Sequence, residues 1–296
     1  MSCGRAVKNS NGIPYIMKAL SIGFSPCPND TYIFCGLVKG YVSHPGWDLQ
    51  SEILEDVETL NEWAMQGSLD ITKLSFHALG HVLADYVLLK SGAALGRGCG
   101  PLLVAGRKMS PCDFAKMTVA VPGRYTTAAM LLKLYSPAWK KVVMMRFDEI
   151  MPAIESGKVD CGLIIHESRF TYKARGLKLI ADLGAWWEGI SGYPIPLGGI
   201  AVKRSLGDKL IEEIDQAIHA SIVWARKNPL LCQSYVKEHA QEMEESVISQ
   251  HISLYVNSFS ENLGEEGSAA VAFFLEKGRQ AGIFPVSYEK IQDRTA

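Results

Sequence analysis

Apolar and polar positions divide the chain into short strand and helix units, and one order of units occurs twice. Residues 19–24 (ALSIGF) are an apolar run of strand length, closed by the turn-forming Ser25-Pro26-Cys27-Pro28-Asn29-Asp30. Prolines at 26 and 28 predict that the next helix starts at Thr31, with Asn29 or Asp30 as its cap. In 56–66 the spacing puts Val57, Leu60, Trp63 and Ala64 on one helical face. Asp56 or Thr59 suits its first turn and Gly67 its stop. The second series begins with the strand 118–121 (TVAV), the loop Pro122-Gly123-Arg124-Tyr125, and a helical run opened by Thr126-Thr127. A further helix is expected over 148–156.

A tetrapeptide marks the repeat. Gly67-Ser68-Leu69-Asp70 and Gly157-Lys158-Val159-Asp160 stand ninety residues apart, each between a helical segment and an apolar run. The first run ends in Lys73-Leu74-Ser75; the second, Gly162 to Ile165, ends in His166-Glu167-Ser168. Strands alternating with helices favour an α/β fold with parallel sheets. Two such series predict two lobes facing a central cleft, with ligand groups beyond the carboxyl ends of the strands. The glycine-rich stretch from Gly92 to Gly106 reads as the first crossing between lobes and 194–202 as the return, a double hinge. The expected division is 17–104 plus 200–296 for a discontinuous first lobe and 105–199 for the second. Residues 1–16 read as an extension, disordered or foreign to the native start. From about Leu206 to Ala281 the pattern is helical, with Ile211, Ile214, Ala217 and Ile218 on one face and Val271, Phe274 and Leu275 on another.

Composition narrows the partners. A formal net charge of −1 argues against a general polyanion binder, so no nucleic acid is expected. No run of about 18 apolar residues exists, so no membrane span is expected. The polar amino terminus lacks the apolar stretch of a secretory signal and predicts a cytoplasmic location. Seven dispersed cysteines without a C-x-x-C pair read as reduced thiols, with neither a disulfide framework nor a zinc site. The loop before Thr126 has no Walker lysine and no G-x-G-x-x-G, and the chain has no G-x-S-x-G elbow.

Several side chains carry two readings. Thr126 and Thr127 open a helix whose free N–H groups favour an anion, with Gly123 allowing close approach and Arg124 adding charge; equally, Thr126 is a plain helix cap. Lys73 and Ser75 share one strand face and Leu74 the other; they meet an anionic ligand or mark an exposed strand end. His166 leaves an apolar strand, as a general base oriented by Glu167 and Ser168 or as a structural histidine. Ser25 and Asn29 line the cleft or serve as turn and cap residues. His77 and His81, four apart, have no third ligand in view, so a solvated helix surface is expected. One of Trp186 and Trp187 is read as packing, and the other stays open as a wall for an aromatic ligand.

Several motifs in order resemble the 1,4-dihydroxy-6-naphthoate synthase family. They are Ser25 to Thr31, Leu54 to Asn61, Thr72 to Ser75, Gly123 to Ala128, Gly162 to Tyr172, Leu183 to Glu188 and Tyr255 to Ser260. The likeness runs from about residue 19 to about 282. It implies a fold like type II periplasmic binding proteins and an enzyme, a carbon–carbon lyase of the futalosine route to menaquinone. The implied reaction converts cyclic dehypoxanthinyl futalosine to 1,4-dihydroxy-6-naphthoate and dihydroxyacetone, with no cofactor or metal. It places the catalytic base at His166 and substrate contacts at Lys73, Leu74, Ser75, Thr126 and Thr127. The small-molecule partner is then an anionic substrate. A solute-binding protein of the same fold and chorismate dehydratase are the rival readings, and the oligomeric state stays open.

Overall fold

The computed structural model describes residues 6–8, 14–44, 46–108, 110, 113–240 and 244–284. Its two large sheets are built to one plan. In the first, strand Lys18–Phe24 lies between Trp47–Leu54 and Ile71–Ser75, parallel to both; Ile195–Lys203 then pairs antiparallel with Ile71–Ser75. Tyr86–Leu88 and Ala94–Gly96 both add to Ile195–Lys203. In the second sheet, Thr118–Val121 lies between Lys141–Met144 and Cys161–Ile164, again parallel to both. Leu102–Ala105 pairs antiparallel with Cys161–Ile164 and carries Lys178–Asp182 on its far side. In each sheet the first strand of the series has a later strand on either side, so the chain leaves it in opposite directions. The carboxyl ends of the first and third strands flank that reversal, which is where such folds bind ligands.

The repeated tetrapeptides do the same work twice. Gly67 and Gly157 take φ of 64° and 72°, the left-handed conformation that ends the preceding helix. Leu69 and Val159 are buried. Asp70 accepts from both the N–H and the hydroxyl of Ser21 at 3.0 Å, joining the third strand to the first. Asp160 accepts from the N–H of Thr118 at 2.8 Å, the equivalent join in the second lobe.

The sheets shift both lobe boundaries. Leu102–Ala105, expected to close the first lobe, belongs mostly to the second sheet's interior, and all of Ile195–Lys203 lies in the first sheet. Each lobe completes its sheet with an antiparallel strand taken from a crossing segment, so the crossings themselves are shorter than the apolar pattern suggested. At the first crossing Gly100 meets the backbone of Gly184 so closely that a Cβ on either would collide. The extension is not wholly disordered: Ala6–Lys8 and Pro14–Ile16, rich in strand-forming residues, pair antiparallel with Val7 opposite Tyr15. The rest of 1–16 lies outside the described residues.

The helix after Phe24 also starts earlier than expected, spanning Pro28–Val38 with Cys27 as N-cap. Proline is favoured at the first helical position, where its missing N–H is no loss. Asn29 and Asp30 are therefore not caps; their side chains are free for other partners. Helix Asp208–Lys227 packs Ile214, Ala217 and Ile218 on the core of the first lobe. Helix Gly264–Gln280 buries Val271, Phe274 and Leu275 in the core that spans both sheets. There Trp187 is fully buried against Phe273 and Phe274, while Trp186 lies edge-on to Tyr135.

The Asp70 joint is testable. Asp70→Ala leaves the Ser21 N–H without its acceptor and is expected to cost about 1–3 kcal/mol by urea denaturation. An unchanged midpoint would show that the joint contributes nothing to stability.

Candidate active site

Four strand ends converge on one cavity between the lobes. Counting the open mouth, the space free of atoms there is about 670 Å³. The first and third strands of the first lobe supply Ser25, Asn29 and Asp30 on one side and Lys73, Leu74 and Ser75 on the other. The second lobe contributes Thr126, Thr127 and Ala128 after its first strand, and Ile165 and His166 after its third. Helix Glu245–Tyr255, from the carboxyl-terminal third, closes the wall with His251 and Tyr255.

The floor is a buried polar network. The Lys73 ammonium lies 2.8 Å from Asp30 Oδ1, and both side chains are about 95% buried (5% and 4% exposed). Such a pair persists only if its other hydrogen-bonding positions are filled. Asp30 accepts from the Ser25 hydroxyl at 2.7 Å and the Asn29 amide at 2.8 Å, and Lys73 also donates to Gly92 O at 3.2 Å. Ser75 is held by Asn61, which accepts from its N–H at 2.9 Å and donates to its oxygen at 3.2 Å. The hydroxyl proton of Ser75 is left to point at a ligand.

The cap reading of Thr126 is met. Its hydroxyl oxygen accepts from Ala129 N–H at 3.2 Å, so the side chain is a helix cap. The Thr127 hydroxyl is likewise used, donating to Leu197 O at 2.6 Å. What the cavity receives is the start of helix Thr127–Tyr135, whose first-turn N–H groups have no intrahelical acceptor and favour an anion.

His166 is the sole non-glycine residue with positive φ, 54°, among the described residues. Holding a histidine in the left-handed region costs about 1–3 kcal/mol, and such strain gathers at functional sites. The conformation turns the ring across the cleft, where Nδ1 lies 3.3 Å from Cys27 Sγ of the other lobe. Nε2 is the nitrogen left for a substrate. Burial, then the Glu167 carboxylate, pushes the Cys27 thiol well above its ordinary value. Cys27, His166 and Glu167 bring ligand-type atoms within 4.8 Å of one another.

Two expected cleft residues lie elsewhere. Arg124 is exposed, its guanidinium over the Tyr125 ring, because the Gly123 turn directs it outward. Glu167 is buried beside Cys27 and does not reach the cavity wall. His77, expected on a solvated face, is buried between the lobes, with Nδ1 3.0 Å from Thr126 O and its ring against His81, Tyr125 and Phe284. A second bridge is Glu58, which accepts from Tyr125 N–H at 2.9 and 3.1 Å. Its carboxylate fills the place where a side chain on Gly123 (φ 147°) would stand. Sequence reading missed Cys27, Glu58, Asn61 and His251 as site residues. His251 and Tyr255, one helical turn apart, were the one available signal for a helix face on the cleft.

Comparison with known proteins shows the family and the fold. The family described as menaquinone biosynthesis matches residues 20–280. The chain belongs to that family. It is 48% identical over 267 residues to a 1,4-dihydroxy-6-naphtoate synthase of Thermus thermophilus, covering 90% of this chain and 96% of the relative. A Streptomyces coelicolor protein of the same name is 44% identical over 271 residues, covering 90% and 95%. Among solved structures, a protein of Archaeoglobus fulgidus superposes with a TM-score of 0.84 at 32% identity, over 90% of this chain and 98% of that one. The periplasmic aliphatic sulphonate binding protein of Escherichia coli, at 12% identity and a TM-score of 0.59 over 90% and 89%, shares the fold. The two-lobed architecture is thus that of type II periplasmic binding proteins. No helix of the described residues is long and apolar enough to cross a membrane.

Burial of His77 makes the lobe interface acid-sensitive. Burial is the main cause that lowers its pKa to about 4, with His81 and Lys133 adding to it against the Thr126 hydrogen bond. Between about pH 6.5 and 4 the unfolded chain binds a proton at His77 that the folded chain refuses, so stability falls as pH falls through that window. The loss is about 3 kcal/mol. His77→Asn keeps a donor near Thr126 O and is expected to lack this part of the acid limb in denaturant titrations. Parallel pH profiles for the two proteins would contradict the assignment.

Proposed function

We infer that this chain is a carbon–carbon lyase of menaquinone biosynthesis, converting cyclic dehypoxanthinyl futalosine to 1,4-dihydroxy-6-naphthoate with release of dihydroxyacetone. The observation that carries the reaction is the near full-length identity of 48% and 44% to synthases of that product. The site supports it, because an anion pocket and a strained imidazole face each other across one cavity.

The substrate carries a benzoate carboxylate and a polyol ring. The helix start at Thr127 and Ala128 holds an anionic oxygen, either the carboxylate or the oxygen that gains charge during cleavage. Lys73 and Ser75 donate to oxygens from the opposite lobe. His166 acts as general base through Nε2, with its Nδ1 proton directed at the Cys27 sulfur. It takes a proton from the substrate, the spiro ring opens, and the carbon–carbon bond breaks in a retro-aldol sense. The bond pair stays on the departing fragment as an enolate, which recovers a proton from the imidazolium. Formation of the aromatic naphthalene ring drives the sequence forward. The bridges from Cys27, Glu58 and His77 keep the lobes together around the substrate and limit access of water.

A solute-binding protein would share the lobes and the cleft, since fold alone does not set function. It would have no use for a histidine held at φ 54°. Incubation with cyclic dehypoxanthinyl futalosine separates the readings. The chain is expected to yield the naphthoate, and His166→Ala to lose at least about a hundredfold in kcat while remaining folded by circular dichroism. Recovery of unchanged substrate would favour a binder, and full activity in the variant would remove His166 from the base role.

A further inference from the structure

His251 is a buried titratable group of the cavity wall that this reaction scheme does not use. It is fully buried in helix Glu245–Tyr255 yet forms part of the cavity wall. Its ring lies parallel to that of His166, within 8°, with centroids 6.3 Å apart. Nε2 lies 2.8 Å from Asn29 Oδ1, whereas Nδ1 is buried with no partner among the described residues. A buried polar atom without a partner is rare enough in a native fold to call for a ligand.

The network on the floor fixes which nitrogen carries the proton. Asp30 accepts from an ammonium, a hydroxyl and the Asn29 amide, so Asn29 must present Nδ2 to Asp30. Asn29 Oδ1 is thereby the atom facing His251, and a carbonyl oxygen only accepts. The proton of the neutral imidazole therefore sits on Nε2, and Nδ1 is a bare acceptor. Burial, then the neighbouring His166 and Arg169, holds the ring well below its usual pKa and keeps it neutral. Apart from His166 Nε2, which takes the proton in the reaction, the ligand-facing groups argued above donate: Lys73, the Ser75 hydroxyl and the helix-start N–H groups.

We propose that His251 Nδ1 is the substrate-hydroxyl acceptor of the site, positioning the polyol end of the ligand opposite His166 while the donors hold its anionic end. This rests on the reaction proposed above. It makes the cavity two-sided, and selective for ligands that carry an anionic oxygen at one end and a hydroxyl at the other. A substrate lacking the hydroxyl leaves Nδ1 buried and unpaired, which a hydrogen-bonding site rejects strongly.

Two variants separate this role from a structural one. Gln places its amide near the position of Nε2 and keeps the link to Asn29, but has no acceptor where Nδ1 stood. Asn does the reverse. The proposal expects His251→Gln to lose about a hundredfold in kcat/KM and His251→Asn to lose roughly tenfold less. A purely structural histidine would give the opposite order, and that order, or wild-type kinetics in His251→Gln, would overturn the proposal. Nitrogen-15 NMR of the ligand-free full chain supplies a readout independent of turnover. His251 is expected to show a protonated Nε2 and an unprotonated Nδ1, with the Nδ1 resonance moving upfield when cyclic dehypoxanthinyl futalosine is bound to the His166→Ala chain. An Nδ1–H tautomer, or an Nδ1 signal unmoved when that variant is saturated with substrate, would overturn it. Failure of the wild-type chain to turn over substrate would instead strike the reaction assignment, with the tautomer still read directly.

Discussion

The buried ion pair between Lys73 and Asp30 orders the whole site. Two opposite charges at 2.8 Å, both withdrawn from water, are tolerated because nearby donors and acceptors complete their coordination. Completing it fixes the Ser25 loop, the rotamer of Lys73 at the end of its strand and the orientation of the Asn29 amide. Through Asn29 it also sets the proton of His251. One local electrostatic requirement thus determines the donor and acceptor pattern over a wall built from three separate parts of the sequence. Loss of either charge would leave the other buried and unpaired, so the network holds the fold and the site together.

The second lobe answers with backbone rather than charge. A capped helix start offers N–H groups, and a strand end turns into the left-handed region to aim His166 back across the cleft. Beside the apolar core they share, the lobes are joined near the cleft by polar contacts from Glu58, His77 and Cys27, and none of these three is a pair of opposite full charges. Contacts of this kind are individually modest. That suits a cleft which must part to admit a substrate and close to exclude water.

Much of this was legible because it is periodic. The tetrapeptide repeat, with glycine, a buried aliphatic residue and an aspartate that joins two strands, announced both lobes and placed Lys73, Ser75 and His166 at equivalent strand ends. The helix-start threonines followed from cap chemistry. What escaped has a common cause. Arg124 was assigned from charge alone, and only the Gly123 turn shows that it faces outward. His77 and His81 keep the spacing of a solvated helix face, yet docking of the second lobe buries His77. Pro28 is accepted at the first helical position, which removes Asn29 and Asp30 from capping, leaves Asn29 with its cleft-lining reading and adds Asp30 to the cavity. His251 lies 222 residues from its partner Asn29, a pairing that no local pattern encodes.

The central claim is that one cavity grips an anionic oxygen at a helix start while an imidazole from the same lobe faces the reacting centre. A crystal structure with 1,4-dihydroxy-6-naphthoate bound tests it most directly. The account predicts a ligand oxygen within hydrogen-bond distance of the Thr127 or Ala128 N–H and His166 Nε2 facing the hydroxylated ring. A naphthoate seated outside the cleft, or inside it with His166 turned away, would contradict the account.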